Sequence, residues 1–187
     1  CDDRLLPGGL ARVKTTYESE SRPWIVSACR WLDPDGNRLG DQTAAPSWTT
    51  ASILSCLGWN CMPHIAMFFE PGFHHALGDL NERFTYAPDY EIACRALAAG
   101  HRFSRMAEPV SAAMRHGSNL SMQRRPDHEA ELSEIQRMYG PSSRVLQAWN
   151  RYLLKLWLNG ANPRWFWGKH GGKSAVEAHQ PHPLESP

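Results

Sequence analysis

Two adjacent carboxylates, Asp2 and Asp3, stand just before a turn and helix signal that begins at Pro7. Hard divalent cations prefer carboxylate oxygens, and ligands of open α/β sheets bind beyond the carboxyl ends of the strands. An acidic pair of this kind could therefore ligate a divalent cation. A solvated acidic pair near the start of a helix is the other interpretation, and the two residues alone leave both open.

A third carboxylate, Asp89, lies near the start of a predicted helix over 88–99, which Gly100 would end. An aspartate at this position could accept a proton as a general base, or it could cap the helix. Glu91 and Arg95 have the i, i+4 spacing of a helical salt bridge, which is the simplest role for both.

Basic and imidazole side chains occur in two further pairs. Arg115 and His116 follow a predicted strand, where they would approach a diphosphate or form an ordinary surface pair. His74 and His75 suggest a metal-binding pair, but adjacent side chains on a helix point about 100° apart. We therefore interpret them as surface histidines. In the turn that follows, we expect Gly78 to adopt an unusual backbone angle.

The composition is that of a globular protein, because 42% of the 187 residues are hydrophobic and 21% are charged. The 20 basic residues nearly balance the 19 acidic ones, so the charge gives no support for a nucleic-acid partner. The five Cys are odd in number and scattered, and we expect reduced, mostly buried thiols. No apolar run approaches the roughly 20 residues that span a bilayer.

Patterning predicts a mixture of helices and strands along the chain. A hairpin over 22–40 is the clearest case, because strand formers flank the turn sequence Asp33-Pro34-Asp35-Gly36. The other predicted elements are a helix over 7–19, short helices within 51–59 and over 73–77, a buried strand over 65–69, two short strands around Pro109, and helices over 124–140 and 143–158.

Three segments in this order resemble family 2 glycosyltransferases with the GT-A fold, in the branch that assembles bacterial polysaccharides. They read CDDRLLPGGLARV, then MPHIAMFFEPGFHHALGDLNERFTYAPDYEIACRALAAGHRF, then EPVSAAMRHGSNLS. The resemblance covers about residues 1–140 and implies an α/β fold: the C-terminal part of a Rossmann-like GT-A domain with a mixed sheet, followed by helices. It also implies that the half that binds the base and ribose of the donor precedes this chain.

The resemblance divides the chain into a partial catalytic domain at 1–140, a helical extension at 141–168 and a flexible tail at 169–187. It assigns roles to five side chains. Asp3 would ligate Mn²⁺ or Mg²⁺, while Asp2 would face the ribose or the water shell of the ion. Asp89 would be the general base, and Arg115 and His116 would contact the donor diphosphate.

The implied activity is metal-dependent transfer of a sugar, with inversion, from a nucleotide-sugar donor to a saccharide or lipid-linked acceptor. The isolated fragment would be inactive because its donor pocket is incomplete. A non-catalytic or degenerate domain that serves in binding or assembly is the alternative. Nucleotidyl transfer would require a Gly-rich phosphate loop, which the sequence does not contain. A cytoplasmic location at the inner face of the plasma membrane would suit lipid-linked acceptors.

The segment over 145–167 is rich in Trp and Leu and is interleaved with basic residues. One interpretation is a peripheral membrane contact, with Trp at the headgroups and the basic side chains on the aqueous side. The other is a helix packed across the catalytic domain.

Overall fold

The computed structural model describes residues 3–57, 61–116 and 126–161. They form a mixed α/β fold with one five-stranded sheet. In chain order the elements are β1 Arg4–Leu5, α1 Gly9–Glu20, β2 Trp24–Leu32, β3 Arg38–Gln42, α2 Ala51–Ser55, a 3-10 turn at His64–Ala66, β4 Met67–Phe69, α3 Phe73–Ala76, α4 Pro88–Ala98, β5 Ser104–Met114, α5 Pro126–Tyr139 and α6 Arg144–Ala161.

The centre of the sheet is a parallel pair, β2 and β5, whose register runs from Ile25 opposite Ser104 to Leu32 opposite Met114. β1 adds to the free edge of β5, while β3 and β4 pair with the second and first halves of β2. All three of these outer pairings are antiparallel. The predicted α/β class, with a mixed sheet and C-terminal helices, is therefore confirmed.

Both faces of the sheet are covered because successive residues of a strand point to opposite sides. Trp24 and Val26 of β2 enter the main core, which α2, α4, α5 and α6 complete. Ile25 points to the other face and packs with β5 beneath α1.

The last helix packs against the domain on one side only. Leu154 is fully buried, Asn150 Nδ2 donates to the carbonyl of Ser52 at 3.2 Å, and Arg151 Nε donates to the carbonyl of Cys56 at 2.8 Å. The opposite side of α6 exposes large apolar side chains, which are Val145, Leu146, Trp149, Tyr152 and Leu156. Within the described ranges, no helix combines the length and the apolar character that a membrane span requires.

Two predicted elements differ from the observed ones. The strand expected over 65–69 begins only at Met67, since His64–Ala66 form a 3-10 turn. The two strands expected around Pro109 are one continuous strand, β5. Pro109 lies opposite Ala28 at an irregularity in the register, and bulges are where a sheet tolerates proline.

Candidate functional site

The predicted residues near the start of the chain lie beside the carboxyl ends of the central strands. β1 pairs with β5 in antiparallel register, so Asp3, just before β1, lies level with the last residues of β5. The same end of β5 continues into Arg115 and His116. Because β2 and β5 are parallel, this is the edge at which α/β sheets bind ligands. Asp2 lies outside the described residues.

His64 stands between the two carboxylates that the sequence singles out as cation ligand and base. Its Nε2 is 3.6 Å from Oδ2 of Asp3, and its Nδ1 is 3.9 Å from Oδ2 of Asp89. Both carboxylates are partly buried, whereas the imidazole is mostly exposed. Both distances are longer than those of hydrogen bonds. Side chains from the residue before β1, from the 3-10 turn and from α4 thus meet in one place.

Asp89 lies inside the first turn of α4, and the N-cap position belongs to Ala87. The backbone before the helix is held from α5. One Glu131 oxygen accepts the N–H of Thr85 at 2.8 Å, and the other accepts those of Tyr86 and Ala87 at 2.8 and 2.9 Å. The interpretation of Asp89 as the N-cap is therefore wrong, because Ala87 occupies that position.

The interior of α4 is fixed by a buried ion pair, as the spacing predicts. Arg95 Nη2 lies 2.9 Å from Oε2 of Glu91, whose side chain is only 1% exposed. Tyr139 donates to the other Glu91 oxygen at 2.6 Å. The helix that carries Asp89 is consequently anchored to α5.

Arg115 has a polar atom without a hydrogen bond. Its Nε is buried and has no hydrogen-bond partner among the described residues. Arg12 and Arg95 each have a buried Nε of the same kind, so this atom alone does not mark a binding site. Arg115 directly follows β5, next to the strand that begins after Asp3.

The donor chemistry fits the cation that the sequence implies. Mg²⁺ is commonly bound by one or two carboxylates together with substrate phosphates, and it keeps several waters. Asp3 has a partly exposed carboxylate, and Arg115 has a guanidinium just after the strand that pairs with β1. These two residues would hold the ion and its diphosphate from the protein side.

The described thiols do not contribute nucleophiles. Cys29, Cys56, Cys61 and Cys94 are free and buried, as predicted. Burial raises the pKa of Cys29 and of Cys61 to about 12. A thiol with such a pKa is protonated at neutral pH, and a protonated thiol is a poor nucleophile.

A second group of ligand-type side chains lies away from Asp3. His74 and His75 are at the surface, as predicted, but their rings do not diverge. Each Nδ1 lies 2.9 Å from Oδ1 of Asp79, and the three ligand atoms are within 4.8 Å of one another. The assumption that adjacent rings point apart fails because Asp79 turns back to meet both.

Comparison with protein-family models and with curated proteins finds no match to this chain.

Sequence reasoning missed His64, and it predicts Asp79 as part of a turn without predicting its approach to the two histidines. His64 follows Pro63 at a short 3-10 turn, and no spacing links it to Asp3 or Asp89. His64 lies just before β4, which pairs with β2, so its position depends on the tertiary fold. Asp79 had a detectable signal, since Gly78-Asp79 is a typical left-handed turn and His75 is four residues earlier.

Proposed function

We propose that this chain carries acceptor-side residues of a GT-A glycosyltransferase of the family 2 type. It would move a sugar from a nucleotide-sugar donor to a saccharide or lipid-linked acceptor, with inversion. The observation that carries the proposal is the approach of Asp3 and Asp89 to opposite nitrogens of His64. Two carboxylates with different tasks in this chemistry lie on either side of one imidazole.

Asp89 is the candidate base. An inverting transfer needs a carboxylate that accepts the proton of the acceptor hydroxyl while that oxygen attacks the anomeric carbon. The position of Asp89 is fixed by Glu131 before the helix and by Glu91 and Arg95 within it. A rigid helix of this kind is the support that a catalytic group requires.

Asp3 and Arg115 are the candidates for the donor side. When bound, Mg²⁺ or Mn²⁺ would neutralise the charge that develops on the leaving diphosphate. Asp3 would hold the ion, with Asp2 beside it in the sequence. The guanidinium of Arg115 would donate to a phosphate oxygen, and His116 follows at the same strand end.

His64 is a positioning residue in this scheme. Its ring faces the donor-side carboxylate with one nitrogen and the acceptor-side carboxylate with the other.

The substitution Asp89→Asn tests the proposal in an assay of sugar transfer. We expect transfer to fall by about 10²–10⁴-fold, because an amide cannot accept the proton. Binding of a nucleoside diphosphate with Mn²⁺, measured by calorimetry, should stay within about twofold of the native value, since Asp89 is assigned to the acceptor side.

Asp127→Asn is the matched control. Asp127 also follows a proline in the first turn of a helix, α5, but it is exposed. Native activity in this variant together with lost activity in Asp89→Asn would support the assignment. Equal activity of the two variants would refute it. Donor binding without turnover in the native protein would instead favour the alternative, a degenerate domain with a binding role.

A further inference from the structure

The group formed by His74, His75 and Asp79 has the composition of a transition-metal site. Both imidazole Nδ1 atoms face the same carboxylate oxygen at 2.9 Å. Two imidazoles and one carboxylate are ligands that Zn²⁺, Co²⁺ and Ni²⁺ accept, whereas Mg²⁺ prefers oxygen alone. The group therefore differs in chemistry from the candidate site at Asp3.

The backbone is built to bring Asp79 back towards the histidines. Gly78 and Asp79 have φ angles of 86° and 56°, so two consecutive residues adopt the left-handed conformation. Few residues other than glycine adopt it without cost, and Asp and Asn are among them. The turn reverses the chain directly after α3, which places the carboxylate beside the rings.

Arg95 holds this turn from outside the group. Its guanidinium donates to the carbonyl of Leu77 at 2.5 Å and to that of Asp79 at 2.6 Å. The same side chain pairs with the buried Glu91. The three ligands are thus fixed by the backbone around them, and preorganisation of this kind favours metal binding.

The exposure of the group suits an ion that enters from solvent. The side chains of His75 and Asp79 are 80% and 59% exposed, and that of His74 is 36% exposed. Three protein ligands leave a tetrahedral ion one position for water.

We propose that His74, His75 and Asp79 bind one divalent transition-metal ion of the Zn²⁺ type, with water completing its coordination. The ion would tie the end of α3 to the turn that Arg95 holds against α4. This site is independent of the proposed transferase activity and of its Mg²⁺ or Mn²⁺.

The test uses Co²⁺ as a spectroscopic probe and Zn²⁺ as a competitor, in excess Mg²⁺ so that an oxygen-only site is occupied. We expect one equivalent of Co²⁺ to give visible absorption bands that Zn²⁺ removes. His75→Ala and Asp79→Asn should each weaken binding by at least about tenfold. Asparagine tolerates the left-handed angle at position 79, so that variant keeps the turn while removing the carboxylate.

His128→Ala is the control, because His128 lies on α5 outside the group. The sequence contains nine His, so an ion bound elsewhere would be unaffected by the substitutions at 75 and 79. Unchanged affinity in both ligand variants, or no bound Co²⁺ in the native protein, would overturn the proposal. Circular dichroism of each variant confirms that the fold is retained.

Discussion

Glu91 is a charge buried inside a helix, and its environment explains how the domain tolerates it. Moving a carboxylate out of water is costly unless both of its oxygens find partners. Arg95 supplies the opposite charge to one oxygen, and Tyr139 donates to the other at 2.6 Å. Burial and the hydrogen bond to Glu91 raise the pKa of Tyr139 well above its ordinary value, so the phenol remains a donor at any ordinary pH.

Removal of the phenol hydroxyl should therefore weaken the fold. We expect Tyr139→Phe to lower the free energy of unfolding by about 1.5–3 kcal/mol, because a hydrogen bond to a charged group is lost and one buried Glu91 oxygen loses its partner. Urea denaturation measures the change. Tyr152→Phe is the control. This ring is exposed, so removal of its hydroxyl should lower the free energy of unfolding by less than about 0.5 kcal/mol. Equal stability of the two variants would contradict this account of Glu91.

For single residues, the sequence predicts contacts between neighbours along the chain and misses contacts between residues far apart in sequence. The Glu91–Arg95 pair follows from helical spacing alone, as does the place of Asp89 near a helix start. The position of His64 does not, because its partners belong to β1 and α4 and reach it only through tertiary contacts. The rings of His74 and His75 were misjudged because helical geometry was applied to a four-residue helix that ends in a left-handed turn.

Among the helices and strands, too, those fixed by nearby residues are predicted and those that depend on a distant strand are not. The hairpin of β2 and β3 is predicted by its turn, in which Gly36 has a φ of 86° and Asn37 donates to Asp33. The single strand β5 is not predicted, because a proline in its middle reads as an interruption. Whether Pro109 ends a strand or lies in a bulge depends on the neighbouring strand, which is β2.

The contact between α1 and β5 depends on Gly9. A Cβ at this position would lie 2.7 Å from the carbonyl oxygen of Val110 and 2.9 Å from its Cγ1. We expect Gly9→Ala to lower the free energy of unfolding by about 1–3 kcal/mol, because the helix must move away from the strand. The shift in the urea midpoint measures this effect.

Gly160→Ala provides the same chemical change without the close contact. Gly160 lies in α6, and a Cβ there meets nothing within 4 Å. Alanine is the better helix former by about 1 kcal/mol, so this variant should be as stable as the native protein or slightly more so. A destabilisation of the same size at both glycines would show that close approach is not the cause at Gly9.

For the molecule as a whole, the helices are distributed unequally over the sheet. α1 covers one face, and four helices build the larger core on the other. α6 also carries large apolar side chains on the side that faces away from the core, and Trp149 among them is 54% exposed. Residues 162–167, the remainder of the apolar segment, lie outside the described residues.

This exposed face gives a test of membrane contact, which the proposed lipid-linked acceptor would require. We expect the protein to sediment with vesicles that contain anionic phospholipid, and the double variant Leu146→Ser, Trp149→Ser to bind them about tenfold less or weaker still. Ala148→Ser on the same helix is the control. The thermal midpoints should be alike, because the substituted side chains are exposed. Equal sedimentation of all three proteins would refute a membrane role for α6.

The parallel pairing of β2 with β5 also has a consequence for biosynthesis. Ile25 meets Ser104 only after β3, β4 and the first helices that follow have left the ribosome. Until then, one edge of β2 has no strand to pair with, although its hairpin with β3 can already form. An unpaired edge in a nascent chain is a template for association with other chains. The interval between the synthesis of these two strands is therefore a period in which that edge of β2 can associate with other chains.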